Sequence, residues 1–531
     1  MIKIEKLSKS YIHAKSKNIN NILNNISLDL PEKGLIFLLG KSGSGKTALL
    51  NLLGCLDVID QGDILIHNNS VRSFKYVDYD NYRNGNISFV FQDYNLISDL
   101  TVEKNIALSL ELQGKKADFS LMSKILRSVD LVGFEKRFIN ELSGGQQQRV
   151  AIARALIKDT NFILCDEPTG NLDSETSEKI FKLFKEISKN KLILIVTHDI
   201  ESAFAFGDRV IEMKDGKIIS DLSKDYNLEK EKQTDLLNNL KGQVITEELL
   251  KKISKNSSLD NYKKMFIPTN QNINNYETKS LKKISSHLPL SLSLKMGTSF
   301  FKKKKFSLFI NILNSIFLYQ ILLVLAMLSI IMNCVKNIFF KFYPYFSSNE
   351  AAHNYFTKSI RQFNIGLFFL AFVILFISSF TIGGFVKKTI IFKKKDIGIL
   401  RALGARRIDI FKIFFTEGFV ISLLITFLLG IIIFIPEPRI NWIRIFNIKS
   451  ASFEKFIKDL IPRIKNDFNI NDNSDLDSWY ESLKKEFKFW SNEFFIILFI
   501  FVFNLIVVFL STFLPIYKFA KKKVIEVILD K

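Results

Sequence analysis

Gly40-Lys41-Ser42-Gly43-Ser44-Gly45-Lys46-Thr47 has the form G-x-x-x-x-G-K-[ST]. The apolar run Leu35-Ile36-Phe37-Leu38-Leu39 before it reads as a buried strand, and residues 47–56 after it read as a helix. A lone match of this form is often an ordinary glycine turn; the strand before it and the helix after it argue for a phosphate cradle. The glycines let backbone N–H groups converge on an anion, and the helix N-terminus adds a partial positive charge. Gly40, Ser42, Gly43 and Gly45 are the candidate loop contacts. Lys46 is placed to reach the β and γ phosphates, and the Thr47 hydroxyl to ligate Mg²⁺.

Downstream, Phe162-Ile163-Leu164-Cys165-Asp166-Glu167 is an apolar strand ending in two acids. Asp166 is a candidate Mg²⁺ holder through water, and Glu167 a candidate general base for an attacking water. Such an ending is common by itself and gains meaning only after a phosphate loop. Leu142-Ser143-Gly144-Gly145-Gln146 lies between the two and opens a helix, which offers a hydroxyl and free N–H groups to an anion.

The stretch 142–146 resembles the signature motif of ABC ATPases. That resemblance implies ATP and Mg²⁺ as cofactors, with Ser143, Gly144, Gly145 and Gln146 capping a nucleotide held mainly by a second subunit. It also implies roles for residues in the family's order. Gln92, in Phe89-Val90-Phe91-Gln92, resembles the glutamine that senses Mg²⁺ and faces the membrane domain. Gly170-Asn171-Leu172-Asp173 resembles the D-loop, and His198 the switch histidine that contacts the γ-phosphate. Tyr11 resembles the aromatic residue that stacks on adenine.

Phe91-Gln92, Asn95-Leu96 and Asp166-Glu167-Pro168-Thr169-Gly170-Asn171-Leu172-Asp173 narrow the resemblance to the MacB, LolD and FtsE group. The second half resembles FtsX-type permeases in Lys394-Lys395-Asp396-Ile397-Gly398-Ile399-Leu400-Arg401-Ala402-Leu403-Gly404-Ala405 and in Phe415-Thr416-Glu417-Gly418. Leu514-Pro515 and Val524-Ile525-Glu526-Val527-Ile528-Leu529 resemble that family's tail, and 292–306 its amphipathic helix on the inner membrane surface. MacB-type proteins place a large folded domain between the first two spans. The loop here, 334–362, is short, which argues against transferring a role in a tripartite efflux pump.

Composition divides the chain in the same place. Of 531 residues 47% are hydrophobic, 51 of them Phe, yet the first 220 read as soluble. The expected fold is an α/β P-loop ABC ATPase domain, residues 1–222, followed by a polar linker, 223–290, and an all-α four-helix transmembrane domain, 291–531. The linker reads as a solvated spacer with a helix around 231–255. Four apolar segments, 307–333, 363–385, 411–435 and 493–517, each reach the roughly 20 residues that cross a bilayer.

Charge placement orients them. Residues 386–412 carry nine basic and two acidic side chains, and lysines flank both ends of the membrane half. Residues 436–492 carry ten basic and nine acidic. The positive-inside rule puts 386–412 and both flanks in the cytoplasm and the loops 334–362 and 436–492 outside. Tyr343, Tyr345, Trp442 and Trp490 fit an interfacial belt. The same distribution accounts for the net charge of +21 without a nucleic-acid partner. Cys55, Cys165 and Cys334 have no paired spacing, so neither a disulfide framework nor a zinc site is expected. Residues 1–7 alternate like a strand and lack the apolar core of a signal peptide, so the first domain is expected to stay in the cytoplasm.

The expected protein is therefore a multi-pass protein of the bacterial plasma membrane. It is expected to work as a homodimer through an ATP sandwich and the membrane helices, with the lipid bilayer and an extracellular protein as candidate partners. The expected function is ATP-driven export or extraction of an amphiphilic substrate. The alternative is an FtsEX-like machine that signals outside without transport.

Overall fold

The computed structural model describes residues 2–12, 19–228, 259–269, 281–342, 350–434 and 493–528. They form two compact units. The first comprises Met1–Ser293, Lys393–Ile410 and Lys518–Lys531; the second comprises Leu294–Phe392 and Phe411–Tyr517.

The first unit opens with strands β1 (Ile2–Ile12), β2 (Ile19–Leu30) and β3 (Gly34–Leu39), helix α1 (Lys46–Leu53), and strands β4 (Gln61–Ile66) and β5 (Asn69–Ser70). Helix α2 (Tyr76–Gly85), strand β6 (Ile87–Val90) and helices α3 (Val102–Glu111), α4 (Phe119–Ser128) and α5 (Gly144–Leu156) come next. Then follow β7 (Phe162–Asp166), α6 (Ser174–Ile187), β8 (Leu192–Thr197), α7 (Ile200–Phe206), β9 (Arg209–Lys214) and β10 (Lys217–Lys224). Helix α8 (Leu259–Lys263) and strand β11 (Phe266–Pro268) complete this stretch.

The strands make two sheets, β2-β1-β4-β5 and β11-β10-β9-β3-β8-β7-β6. In the larger one β9, β3, β8, β7 and β6 run parallel, with β10 and β11 added antiparallel at one edge. Leu35 to Leu39 and Leu192 to Val196 are at most 5% exposed, as continuous apolar runs buried on both faces must be. Each such Leu or Ile contributes about 1.5–3 kcal/mol by leaving water. Helix α1 stops at Leu53, short of the predicted residue 56, because the chain turns left-handed at Cys55 (φ 52°).

The predicted linker behaves differently in its two parts. The predicted helix near 231–255 lies outside the described residues. The stretch after it is built into the first unit. Strand β11 pairs with β10, and the Asn86 side chain exchanges two 3.0 Å hydrogen bonds with the backbone of Lys282. The Asn86 contacts join residues 196 positions apart, which local polarity does not reveal.

The remaining helices are α9 (Leu290–Lys303), α10 (Lys305–Phe342), α11 (Glu350–Phe392), α12 (Lys394–Ala402), α13 (Arg407–Phe434), α14 (Glu493–Lys521) and α15 (Val524–Ile528). Among the described residues three stretches are long and apolar enough to cross a membrane: Lys305–Leu322, Arg407–Leu428 and Phe501–Lys518. The predicted span 363–385 lies within α11 and is not one of these three. Within the second unit Tyr319, Phe385, Ile421 and Ile425 form a buried cluster. Asn364 bridges Ser329 and Asn333 by side-chain hydrogen bonds of 3.1 and 2.9 Å, which ties α11 to α10. Tyr343, Tyr345, Trp442, Trp490 and all of 436–492 fall outside the described residues.

Two segments of the second half of the sequence fold with the first unit. Helix α12 ends in a turn where Gly404 N–H donates to Arg401 O (3.1 Å) and Ala405 N–H to Leu400 O (2.9 Å), a Schellman pair. Arg83 Nε donates to Arg401 O (2.8 Å), and Lys158 Nζ to Leu403 O (3.2 Å). Helix α15 sends Val524 and Ile528 into the same apolar core as β1, β2 and α1, beside Ala402.

Candidate nucleotide site

Strand order explains why distant motifs meet. Strands β3, β8 and β7 are neighbours and parallel, with Leu39 opposite Thr197 and Asp166 opposite Val196. Their carboxyl ends therefore bring the loop 40–47, His198 and the pair Asp166-Glu167 to one edge, where open α/β sheets bind ligands. Strand β6 lies beyond β7, so Gln92 follows at the same edge with an exposed side chain.

The loop itself depends on glycine. Gly45 has φ 99°, and a Cβ there would stand 2.7 Å from Ile22 O. Gly40 has φ 156°, and a Cβ there would meet Met213 O at 2.4 Å. Lys46 Nζ folds back to donate to Gly40 O (2.7 Å) and Lys41 O (2.9 Å), which sets the ammonium inside the loop. Burial lowers its pKa, against the pull of Glu167 and Asp166. Among the described residues the buried Ser44 hydroxyl finds no hydrogen-bond partner. A loop of glycine-shaped backbone, an inward ammonium and an orphaned hydroxyl fits a triphosphate.

Thr47 Oγ1 donates to Asp166 Oδ1 at 3.3 Å, which places two of the three candidate Mg²⁺ ligands, Thr47 and Asp166 but not Gln92, in contact. Among the described residues no three His, Cys, Asp or Glu side chains cluster. Mg²⁺ fits such a site, since it is held through one or two carboxylates together with substrate phosphates. Burial pushes the Asp166 carboxyl up to about 6, and Glu167 adds to the rise, while the Thr47 hydrogen bond and Lys46 oppose it.

A folded pKa above the ordinary 3.8 means that the ionised carboxylate destabilises the fold. That cost is fully present above about pH 6 and is gone below about pH 4. Asp166→Asn should therefore stabilise the nucleotide-free chain at pH 7.5 by roughly 2–3 kcal/mol, with the gain vanishing below about pH 4. Thermal unfolding of both purified chains across pH measures this; a less stable variant at pH 7.5 would contradict it.

Glu167 adopts φ 48°, unusual for a residue with a side chain, and is pinned there by its N–H donating to Val196 O (2.9 Å). His198 Nδ1 lies 3.0 Å from Glu167 Oε1. That hydrogen bond, then the Glu167 charge, raises the imidazole pKa. The candidate general base Glu167 and the candidate switch residue His198 are thus in contact.

The other predicted residues make contacts of their own. Ser143 caps α5 and forms a capping box with Gln146, at 3.3 Å from Gln146 N to Ser143 Oγ and 3.0 Å from Ser143 N to Gln146 Oε1. Gly144 abuts Tyr94, and Gly145 abuts Asn171 and Leu172. Among the described residues none of these contacts reaches 40–47. Tyr11 donates its hydroxyl to Asp57 Oδ2 at 2.6 Å, and Lys9 Nζ sits 5.3 Å from its ring centre. Asp173 caps α6 by accepting from Thr176 N (2.9 Å), a structural duty.

Sequence reasoning missed Arg154, Lys158 and Arg83. Arg154 is fully buried and donates to Asn95 O (2.6 Å) and Tyr94 O (3.0 Å), fixing the loop after Gln92 to the helix that Ser143 caps. Lys158 donates to Arg83 O (2.5 Å) and Ile87 O (3.1 Å), and burial pulls its ammonium down to about 7. The visible signal was a charge inside the apolar run Val150-Ala151-Ile152-Ala153-Arg154-Ala155.

Together these features define a phosphate-loop ATPase of the cassette type. The ABC transporter family profile matches residues 23–170, and the FtsX-like permease C-terminal profile matches 368–524. The macrolide export ATP-binding/permease protein MacB of Campylobacter fetus is 40% identical over 240 residues, 44% of this chain and 36% of that protein. The matched stretch thus spans about a third of that exporter's length. The uncharacterized ABC transporter ATP-binding protein MJ0796 of Methanocaldococcus jannaschii is 40% identical over 226 residues, 41% of this chain and 95% of it. The solved dimeric post-hydrolysis structure of the MJ0796 cassette with ADP and Pi aligns at 38% identity and TM-score 0.40, over 42% of this chain and 97% of that one. The chain belongs to the ABC transporters, as an ATP-hydrolysing cassette fused to an FtsX-like permease in the MacB-type arrangement.

Proposed function

We propose that two copies of this chain form an ATP-driven machine of the bacterial plasma membrane. It exports or extracts an amphiphilic substrate: a peptide, a lipid or lipoprotein, or a hydrophobic drug. The observation that carries the coupling is the anchorage of 393–410 in the ATPase unit, through Arg83 to Arg401 O and Lys158 to Leu403 O. A closing cassette pulls directly on chain that runs into α13. The macrolide exporters among the relatives favour export over signalling.

In this reading Gly40, Ser42, Gly43, Gly45 and Lys46 bind the phosphates, and Tyr11 stacks on adenine. Thr47, Gln92 and Asp166 hold Mg²⁺, which neutralises phosphate charge. Glu167 takes the proton of the attacking water, and His198 orients it and contacts the γ-phosphate. Ser143, Gly144, Gly145 and Gln146 cap the nucleotide held by the other copy; the exposure of Ser143 and Gly144 supports this. The fourth membrane span is 363–385 in α11, supported by the exposed Phe368, Phe369, Phe372 and Phe376, which water would penalise.

Ser143→Cys paired with Lys41→Cys in a Glu167→Gln background should give an ATP-dependent cross-link between two chains. The check is a non-reducing gel, and a fully ATP-loaded sample without cross-link counts against the sandwich. For the function itself, the purified chain in liposomes should hydrolyse ATP at least about twofold faster with its amphiphile. A panel of peptides, lipopeptides and macrolides tests this. No stimulation, together with capture of an extracellular hydrolase by 436–492, would instead establish signalling without transport.

A further inference from the structure

Asp57 is a carboxylate with no exposed side-chain surface, two residues after Cys55 and beyond the end of α1. A buried charge of this kind is tolerated only when paired and hydrogen-bonded. Its Oδ2 accepts from the Tyr11 hydroxyl at 2.6 Å. Its Oδ1 accepts from Val58 N (2.7 Å) and stands 3.1 Å from Lys523 Nζ. Lys9 is the other nearby cation, at 3.6 Å, but its ammonium is engaged by Val58 O and Asp60 Oδ1, both at 2.7 Å. Lys523 is therefore the closer ionic partner of Asp57.

Lys523 does not reach this place as a loose side chain. Ile525 N–H donates to Leu56 O (3.2 Å), and Arg401 Nη1 donates to Lys522 O (2.8 Å). Val524, Val527 and Ile528 are at most 6% exposed. Gly398 leaves room for Ile528, whose Cγ1 would stand 2.8 Å from a Cβ there. A segment that follows the apolar helix α14 in the chain is thus pinned beside Asp57.

The hydroxyl of a tyrosine fixes where its ring lies. Here one side of the Tyr11 ring is under Lys9, the hydroxyl is held by Asp57, and 37% of the residue stays exposed. We propose that Lys523 is a positioning residue for nucleotide binding: through Asp57 it orients Tyr11, so the segment after the last membrane helix tunes affinity for the adenine base. This rests on the reading of Tyr11 as the adenine-stacking residue. Without the Lys523 charge, Asp57 is drawn toward Lys9 and the acceptor for Tyr11 is no longer fixed.

The test measures binding of MgATP and of inorganic tripolyphosphate to the full chain carrying Glu167→Gln. Lys523→Met should weaken ATP about five- to tenfold, within what base–aromatic stacking contributes, and leave tripolyphosphate within about twofold. Lys523→Arg should restore ATP to within about twofold. Unchanged ATP affinity in Lys523→Met overturns the proposal, as does equal weakening of both ligands, which would mark a general scaffold effect. Tyr11→Ala separates the two layers. If it leaves ATP affinity intact, the adenine reading fails and the proposal with it; if it weakens ATP while Lys523→Met does not, only the role of Lys523 fails. Should Lys523→Met not fold, Asp57→Asn serves in its place, with the same base-dependent loss expected and its absence decisive.

Discussion

Glu167→Gln is expected to cut ATP turnover by about 10²–10⁴-fold while leaving ATP binding intact. The amide matches the carboxylate in size and keeps an oxygen toward His198, which lies 3.0 Å away in the native site. The backbone at φ 48°, held by Val196 O, is indifferent to that change. Only the basic oxygen that would take a proton from water is lost. The loss corresponds to about 2.7–5.4 kcal/mol of transition-state stabilisation. Single-turnover hydrolysis and equilibrium nucleotide binding on the same preparation measure the two halves of the claim. Near-normal turnover would remove Glu167 from the role of base, and lost binding would mean that it shapes the ground-state site.

Gly404→Ala is expected to destabilise the ATPase unit by about 2–4 kcal/mol, although residue 404 belongs by sequence to the permease half. Gly404 has φ 102°, which an L side chain adopts only under strain, and a Cβ there would lie 2.5 Å from Asn84 N and 2.6 Å from Asn84 Cα. Those atoms are backbone at the end of α2, so no rotamer change relieves the overlap. The neighbours would be lost with it: Arg83 to Arg401 O and Lys158 to Leu403 O. The outcome to measure is the thermal midpoint of the purified full chain, with ATPase rate as a second reading. A midpoint within a degree of the parent would show that 403–405 does not rest on α2.

Most of the candidate nucleotide site is legible because its chemistry is local. A phosphate cradle needs glycines and a lysine within eight residues, and 40–47 supplies them in one run. Asp166, Glu167 and His198 were legible as polar residues at the ends of apolar strands, and parallel pairing of β7 and β8 explains why such ends converge. Tyr11 is singled out only by resemblance, and its tie to Asp57 and Lys523 is not legible at all. No periodicity links residues 11, 57 and 523.

By itself the sequence determined the division into a cassette and an apolar helical half, and the residues that would handle phosphate. Both follow from short-range patterns: glycine spacing, strand-length apolar runs and helices of membrane length. Tertiary structure alone decided where the ATPase unit ends. It takes in β11, the backbone at Lys282, α12 with its glycine turn, and α15, which sequence reading had assigned to the linker and the permease. The contact from Arg83 to Arg401 spans 318 positions, and that from Lys158 to Leu403 spans 245. Such pairings are selected by the need to satisfy a buried guanidinium and a buried ammonium, a condition that exists only once the chain has folded around them.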